Sequence, residues 1–260
     1  MSTYALDAVF RPESVAVVGA SPRERSVGRA VVRNLRQAGF AGPVGLVNPK
    51  HRRIDGVAAV ARLADRPFRP DLVVASTPAE TVPAVIAQAC QAGARAAVVI
   101  TAGLGQGPGS LLEQLREISR QHGLRIVGPN GLGLMAPHVG LNVSFAAHSP
   151  LPGDLALVSQ SGAIAAGLVE WGRARSIGFS AVVSLGDALD VDFGDLLDWF
   201  AQDSRTRAIL LYIESIGDAR KFMSAARAAA RAKPVVVVKS GRHAQGARAA
   251  ATHTGALAGA

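Results

Sequence analysis

Short apolar runs, each closed by a small polar residue, glycine or proline, punctuate the first half of the chain. They fall at residues 14–18 (SVAVV), 44–47 (VGLV), 71–75 (DLVVA), 96–100 (AAVVI) and 124–127 (LRIV). Between them lie helix-like stretches: an amphipathic one over 29–38, one from the Ser76-Thr77-Pro78 turn to about Gly93, and one near 110–122. Continuous apolar strands alternating with helices are the signature of parallel βαβ units. The pattern predicts five strands and four crossovers, a doubly wound sheet complete within about 130 residues.

Residues 136–153 are rich in Pro, His and Ser and read as a linker, after which the pattern restarts. Residues 155–158 (LALV) lead through SQSG into a helix over 161–174, on which Ile164, Leu168 and Trp171 share one face. Strands at 179–183, 207–213 and 234–238 follow, with helices near 193–202 and 218–231. The expected division is a first α/β domain over 1–135, a linker over 136–153 and a second α/β domain over 154–260 that stops before its natural end.

Composition fits this picture. Of 260 residues 49% are hydrophobic but only 5% aromatic, so the core must be Val, Leu, Ile and Ala, as in buried parallel strands. The single Cys90 excludes an intrachain disulfide framework and suits a reducing cytoplasm. The opening MSTYALDAVF lacks the basic and apolar regions of a signal peptide. No uncharged apolar run reaches the roughly 18 residues of a membrane span. The formal charge is +9, and all 28 basic residues except Lys50, Lys221, Lys233 and Lys239 are arginines. They are scattered along helical stretches, without the basic stripe and interleaved aromatics of a nucleic-acid surface. Neither a nucleic-acid nor a membrane partner is expected, and no metal site.

The first strand ends in a glycine turn, VAVVGASPRERSVG over residues 15–28, and a helix begins near Ser26. Such a turn offers backbone N–H groups to a phosphate, or it is simply a bare connection. Gly19 is followed by no glycine until Gly28, which departs from G-x-G-x-x-G. The second strand ends in Asn48-Pro49-Lys50, followed by His51, Arg52 and Arg53, where an NAD site wants a carboxylate for the ribose. A cationic end suits a phosphorylated ribose, either the 2′-phosphate of NADP or the 3′-phosphate of coenzyme A. The small, uncharged turns at Ser76–Ala79 and Thr101–Gly103 leave room for an extended pantetheine arm.

GASPRERSVG, NPK, STPAE and GPNGLGL, in this order and spacing, resemble the CoA-binding domain of NDP-forming acyl-CoA synthetases. That family includes succinyl-CoA synthetase and the ADP-forming acetyl-CoA synthetases. The resemblance implies a Rossmann-like CoA-binding domain followed by a flavodoxin-like, succinyl-CoA synthetase-like domain. It implies that Gly19, Ser21, Arg23, Ser26, Val27 and Gly28 hold the nucleotide end of CoA, with Asn48 and Lys50 beside its phosphates. Thr77, Pro78 and Thr101 would line the arm, and Asn130 would sit near the thioester.

Three features of the second domain carry further chemistry. Ser159, Gln160, Ser161 and Gly162 sit between strand and helix, where a serine caps the helix whether or not a ligand is present. Glu214 immediately follows the apolar strand 207–213. His253 stands among small residues in ATHTGALAGA, open to a bulky reactant such as a phosphate. A neutral imidazole attacking phosphorus through one nitrogen needs an acceptor on its other N–H, and a carboxylate supplies it. The segment SGRHAQGARAAATHTGALAG resembles the one that bears the phosphorylated histidine in ADP-forming acyl-CoA synthetases. By that resemblance His253 carries the phosphoryl group, Glu214 orients it, and residues 159–162 cradle the phosphate. Two positions depart from the pattern: Asp187 stands where Asn is usual after Gly186, and Thr252 replaces Ser.

The resemblance implies reversible conversion of an acyl-CoA, ADP and phosphate into the free acid, CoA and ATP. ATP or ADP with Mg2+ would bind an ATP-grasp subunit or downstream domain not contained in this chain, and an oligomer is expected. Two other readings are a CoA-sensing region of a GNAT-type protein lysine acetyltransferase and, more remotely, an NADP-dependent oxidoreductase.

Overall fold

The computed structural model describes residues 3–241. A short helix, α1 (Asp7–Phe10), precedes the first strand, β1 (Val15–Val18), whose four residues are all buried. Four apolar residues in succession are all buried only when helices cover both faces of the sheet. The chain continues through α2 (Val27–Gln37), β2 (Val44–Val47), a hairpin of β3 (Arg53–Ile54) and β4 (Val57–Val60), then β5 (Leu72–Ala75), α3 (Val82–Gln91), β6 (Ala96–Val99), α4 (Leu111–His122) and β7 (Arg125–Val127). The sheet order is β3-β4-β2-β1-β5-β6-β7. The five strands expected from the apolar runs form its parallel centre. The added hairpin at one edge is short and carries Arg52, Arg53 and Asp55, which is why no apolar run marked it.

The second sheet comprises β8 (Gly133–Ala136), β9 (Leu141–Ser144), β10 (Pro152–Ser159), β11 (Phe179–Ser184), β12 (Ala208–Ile213) and β13 (Val235–Lys239), in the order β13-β12-β10-β11-β8-β9. Its helices are α5 (Gly162–Ala174), α6 (Phe193–Gln202) and α7 (Ala219–Ala232). In each sheet the strand order reverses beside its opening parallel strand. The two switch points lie between β1 and β5 and between β10 and β12. Ligands of open α/β sheets bind outside the carboxyl ends of strands at such points.

The linker expected over 136–153 is corrected here. β8 pairs antiparallel with β11 and β9 with β8, so residues 133–144 extend the second sheet as a hairpin. Leu141 and Val143 are buried in the core that both sheets share. Asn34 of α2, itself buried, donates from Nδ2 to the carbonyls of Ser144 (2.9 Å) and Ala146 (2.8 Å). Arg125 of β7 reaches across to Asp190 and Asp195, both at 2.9 Å, and donates to the Tyr4 carbonyl at 2.9 Å. Phe10 stacks on Trp199 with ring centroids 5.3 Å apart. The two units are thus docked through buried polar and aromatic contacts.

One helix is turned the other way from its sequence pattern. Helix α5 buries Ala165, Val169 and Gly172 against the sheet, leaving Ile164 and Trp171 exposed. A Cβ at Gly172 would lie 2.9 Å from the ring of Phe179, so only small residues permit this close helix-to-sheet approach. Trp171 instead lies under the guanidinium of Arg175, 4.6 Å from the ring centroid.

Candidate functional site

The turn after β1 is built from close backbone approaches. Gly19 has φ +91°, and a Cβ there would lie 2.5 Å from the Ser76 carbonyl oxygen. A Cβ at Gly28 would overlap the Gly19 carbonyl, so Gly28 lets α2 start directly against the turn. Ser21 Oγ accepts from the Arg23 amide (3.1 Å), and Ser26 Oγ donates to the Arg23 carbonyl (2.7 Å). Ser26 caps α2 by accepting from the Arg29 amide at 3.3 Å. The amides of Val27 and Gly28, in the first turn, have no intrahelical partner and mark the positive end of the helix.

Asn48 serves the fold. Its Nδ2 donates to the Ala20 carbonyl (2.7 Å), and its Oδ1 accepts from the amides of Lys50 (2.7 Å) and His51 (3.1 Å). The side chain therefore ties the end of β2 to the glycine turn. Lys50 is exposed.

A cleft of about 720 Å³ opens between the first switch point and the second unit. Val27, Thr77, Thr101, Asn130, Leu132, Phe145, Gly162 and Ala166 are among the residues that line it. Thr101 Oγ1 donates to the Thr77 carbonyl (2.7 Å), whereas Thr77 Oγ1 is buried with no hydrogen-bond partner. Pro78, exposed, precedes a short helical turn beside the cleft. A second hollow of about 700 Å³ shares Val27 and Phe145 with the cleft and carries Arg25, Arg29 and Arg33. Together they form a trough that is cationic at one end and mainly apolar at the other.

Asn130, an exposed residue lining the cleft, has φ +63°, a left-handed conformation that asparagine tolerates. Its Nδ2 donates to Asp187 Oδ1 at 3.1 Å. Partial burial pushes the Asp187 carboxyl upward and the Asn130 hydrogen bond draws it back. The side chain remains exposed, so solvent weakens the upward push.

The second switch point gathers the other candidates. Ser159 Oγ donates to the Ser161 carbonyl (2.7 Å) and accepts from the Ser161 amide (3.1 Å). Ser161 caps α5 through the Ile164 amide at 3.4 Å. The amides of Gly162 and Ala163 are left at the positive end of α5, and both residues line the cleft. Gln160 acts as a clamp: its Oε1 accepts from the amides of Glu214 (2.7 Å) and Ser215 (2.9 Å). Glu214, 5% exposed, directly follows β12 next to this turn. Its main-chain carbonyl accepts from Lys239 Nζ (3.0 Å), while Oε2 is buried without a partner. Thr77 Oγ1 and Glu214 Oε2 are the two such side-chain atoms among the described residues. Each unpaired buried polar atom in a folded chain calls for an explanation, and an absent ligand is one.

A CoA binding domain model matches residues 13–137, and a succinyl-CoA ligase like flavodoxin domain model matches residues 152–260. In both units the chain is similar to ADP-forming acetyl-CoA synthetases. It is 41% identical over 261 residues to the alpha subunit of ADP-forming acetate–CoA ligase I from Pyrococcus furiosus, covering 98% of this chain and 56% of that subunit. The ADP-forming acetate–CoA ligase I of Archaeoglobus fulgidus is 41% identical over 257 residues, covering 98% of this chain and 37% of that protein. The solved dinucleotide forming acetyl-coenzyme A synthetase 1 of Ca. Korarchaeum cryptofilum, in complex with phosphate and ADP, superposes with a TM-score of 0.92. That match is 37% identical and covers 100% of this chain and 56% of the other. The chain thus spans between about a third and about a half of the length of these synthetase relatives.

His253 lies outside the described residues, as does Thr252. Phe145, the aromatic shared by the two hollows, is not marked by the sequence, because it falls in the Pro-, His- and Ser-rich stretch that resembles a linker. The alternation Leu141-Asn142-Val143-Ser144-Phe145 was the available signal, since period two marks a strand.

Proposed function

We propose that this chain is the CoA-binding and phosphohistidine part of an NDP-forming acyl-CoA synthetase that interconverts acyl-CoA, ADP and phosphate with acid, CoA and ATP. The observation that supports it most is the pair of unpartnered buried atoms, Thr77 Oγ1 at the cleft and Glu214 Oε2 at the second switch point. CoA lies along the trough, its arm passing Thr77 and Thr101 toward Asn130. An oxygen of inorganic phosphate attacks the thioester carbonyl, and the CoA sulfur leaves and takes up a proton. The acyl phosphate forms beside Asn130 and the positive end of α5, which stabilises its charge.

An imidazole nitrogen of His253 then attacks phosphorus and the carboxylate departs as the free acid. Glu214 accepts the hydrogen bond of the other imidazole nitrogen and stabilises the charge that develops on the ring. In the last step the phosphoryl group passes to the terminal phosphate oxygen of ADP. The nucleotide and its Mg2+ belong to an ATP-grasp unit, a separate subunit or a further domain. The name of the Pyrococcus furiosus relative, an alpha subunit, favours a separate partner.

Isothermal titration with CoA and NADP side by side tests the ligand. CoA should bind and NADP should not. Preferential binding of NADP would return the first domain to the oxidoreductase reading.

A further inference from the structure

We infer that Lys239 binds the phosphoryl group during its transfer at the second switch point, as a fixed ammonium beside Glu214. The inference rests on the phosphohistidine reading given above and adds to it the residue that meets the charge of the phosphoryl oxygens. A phosphate monoester carries about two negative charges near neutral pH, and the neighbouring Glu214 carboxylate adds another. The start of α5 offsets only about half a charge.

The four lysines differ in what already engages them. Lys50 belongs to the first unit, just after β2. Lys221 is held by Asp192 (3.0 Å) and Asp195 (2.8 Å). Lys233 lies at the amino end of β13 and donates to the carbonyls of Phe200 (2.6 Å) and Asp203. Lys239, half-buried, ends β13 at the carboxyl edge of the second sheet. It stands opposite Ile213 of β12, and the Ser240 amide donates to the Ile213 carbonyl at 2.8 Å. Its ammonium donates to the Glu214 carbonyl at 3.0 Å and to the Ser240 carbonyl. Among the described residues, no acid forms an ion pair with it.

An ammonium has three N–H donors, and these two carbonyls take two of them. They orient the group without cancelling its charge. Oε2 of the Glu214 carboxylate, meanwhile, is buried and unpartnered. Glu214 thus holds the cation with its main-chain oxygen while its carboxylate stays free for an imidazole. Had the two side chains paired, the site would have kept neither charge for a reactant. The third N–H and the charge of Lys239 face no protein anion, and a phosphoryl oxygen supplies one. The ammonium keeps its proton throughout. Glu214 supports the imidazolium, and Lys239 the oxygens of the group in transit.

The test follows single-turnover transfer from 32P-labelled acetyl phosphate to the protein over a range of acetyl phosphate concentrations. The proteins are the parent, Lys239→Gln, Lys239→Met and Lys239→Arg, with thermal melts and CoA titrations beside them. Gln retains N–H donors for the carbonyls, Met removes them, and Arg keeps the charge. Both neutral variants should transfer about 100-fold more slowly at saturation, the scale of one lost donor to a developing anion. Their half-saturating acetyl phosphate concentration should rise, while CoA affinity and melting temperature stay close to the parent's. Lys239→Arg should regain most of the rate. Parental transfer in either neutral variant would overturn the assignment. So would an equal loss in Lys239→Arg and Lys239→Gln with early melting, which would make Lys239 a tie between strand ends. A parent that takes up no label would remove the phosphohistidine reading itself, and this assignment with it.

Discussion

A Glu214→Gln variant should fold as stably as the parent and accept phosphate on His253 on the order of 10²–10⁴ times more slowly. The substitution keeps the side-chain volume and the backbone bonds that Gln160 makes to residues 214 and 215. It removes only the charge from a site where Oε2 is buried and unpartnered among the described residues. Burying an ionised carboxylate without a partner is costly, so neutralising it should leave stability unchanged or higher. Catalysis should respond in the opposite sense. An amide can present its NH2 to the imidazole and hold the wrong tautomer, and it cannot offset the positive charge of the attacking ring. Single-turnover transfer from 32P-labelled acetyl phosphate, beside thermal melts, separates the two effects. Equal transfer rates would remove Glu214 from the reaction; a large loss of stability would make its role structural.

Substituting alanine for glycine should have opposite signs at two helical positions. Gly28→Ala should destabilise the chain by about 3 kcal/mol, the upper end of overpacking costs, and abolish CoA binding. Its Cβ would collide with the Gly19 carbonyl and lie 2.9 Å from the Gly19 carbonyl carbon and 3.2 Å from Ala20 Cα. None of these atoms can move cheaply. The Gly19 amide is bonded to the Val47 carbonyl at 3.1 Å, and Gly19 already abuts Ser76. The start of α2 must therefore retreat from the turn proposed to hold the CoA phosphates. Gly167, on the outside of α5, has nothing within 4 Å of its added Cβ. Gly167→Ala should stabilise by up to about 1 kcal/mol through helix propensity alone. Denaturant melts and CoA titrations of both variants provide the check. A Gly28→Ala protein with parental stability and CoA affinity would show that this close approach is unimportant.

What could be read from the residues depended on how local the signal was. The buried parallel strands announced themselves as runs such as Val15–Val18 and Leu72–Ala75, because burial on both faces leaves no polar alternation. The hairpin of β8 and β9 was missed because Pro137, His138 and the Ser and Pro residues after Phe145 outweighed a short alternating stretch. The outward face of α5 was unreadable without its neighbour. Close packing on Phe179 selects Ala165, Val169 and Gly172, whereas the pattern of Ile164, Leu168 and Trp171 suggests the reverse. The switch-point residues were more legible. Gly19 and Glu214 follow directly on apolar strands and Ser161 lies two residues past one, so chain order places them at strand ends. Roles within the site were less so. The sequence does not reveal that Asn48 is spent on the glycine turn or that Gln160 clamps residues 214 and 215, since those partners lie 28 and 54 to 55 residues away.

The most direct test of the phosphoryl-carrier role is to supply the chain with an acyl-CoA and 32P-labelled inorganic phosphate, with no nucleotide present. The parent protein should acquire label that is acid-labile and base-stable, as expected for phosphohistidine, with release of free CoA. His253→Asn should release no more than a trace of label into protein while still binding CoA. Label that persists in His253→Asn, or appears as an acid-stable ester, would contradict the assignment of His253 as the carrier.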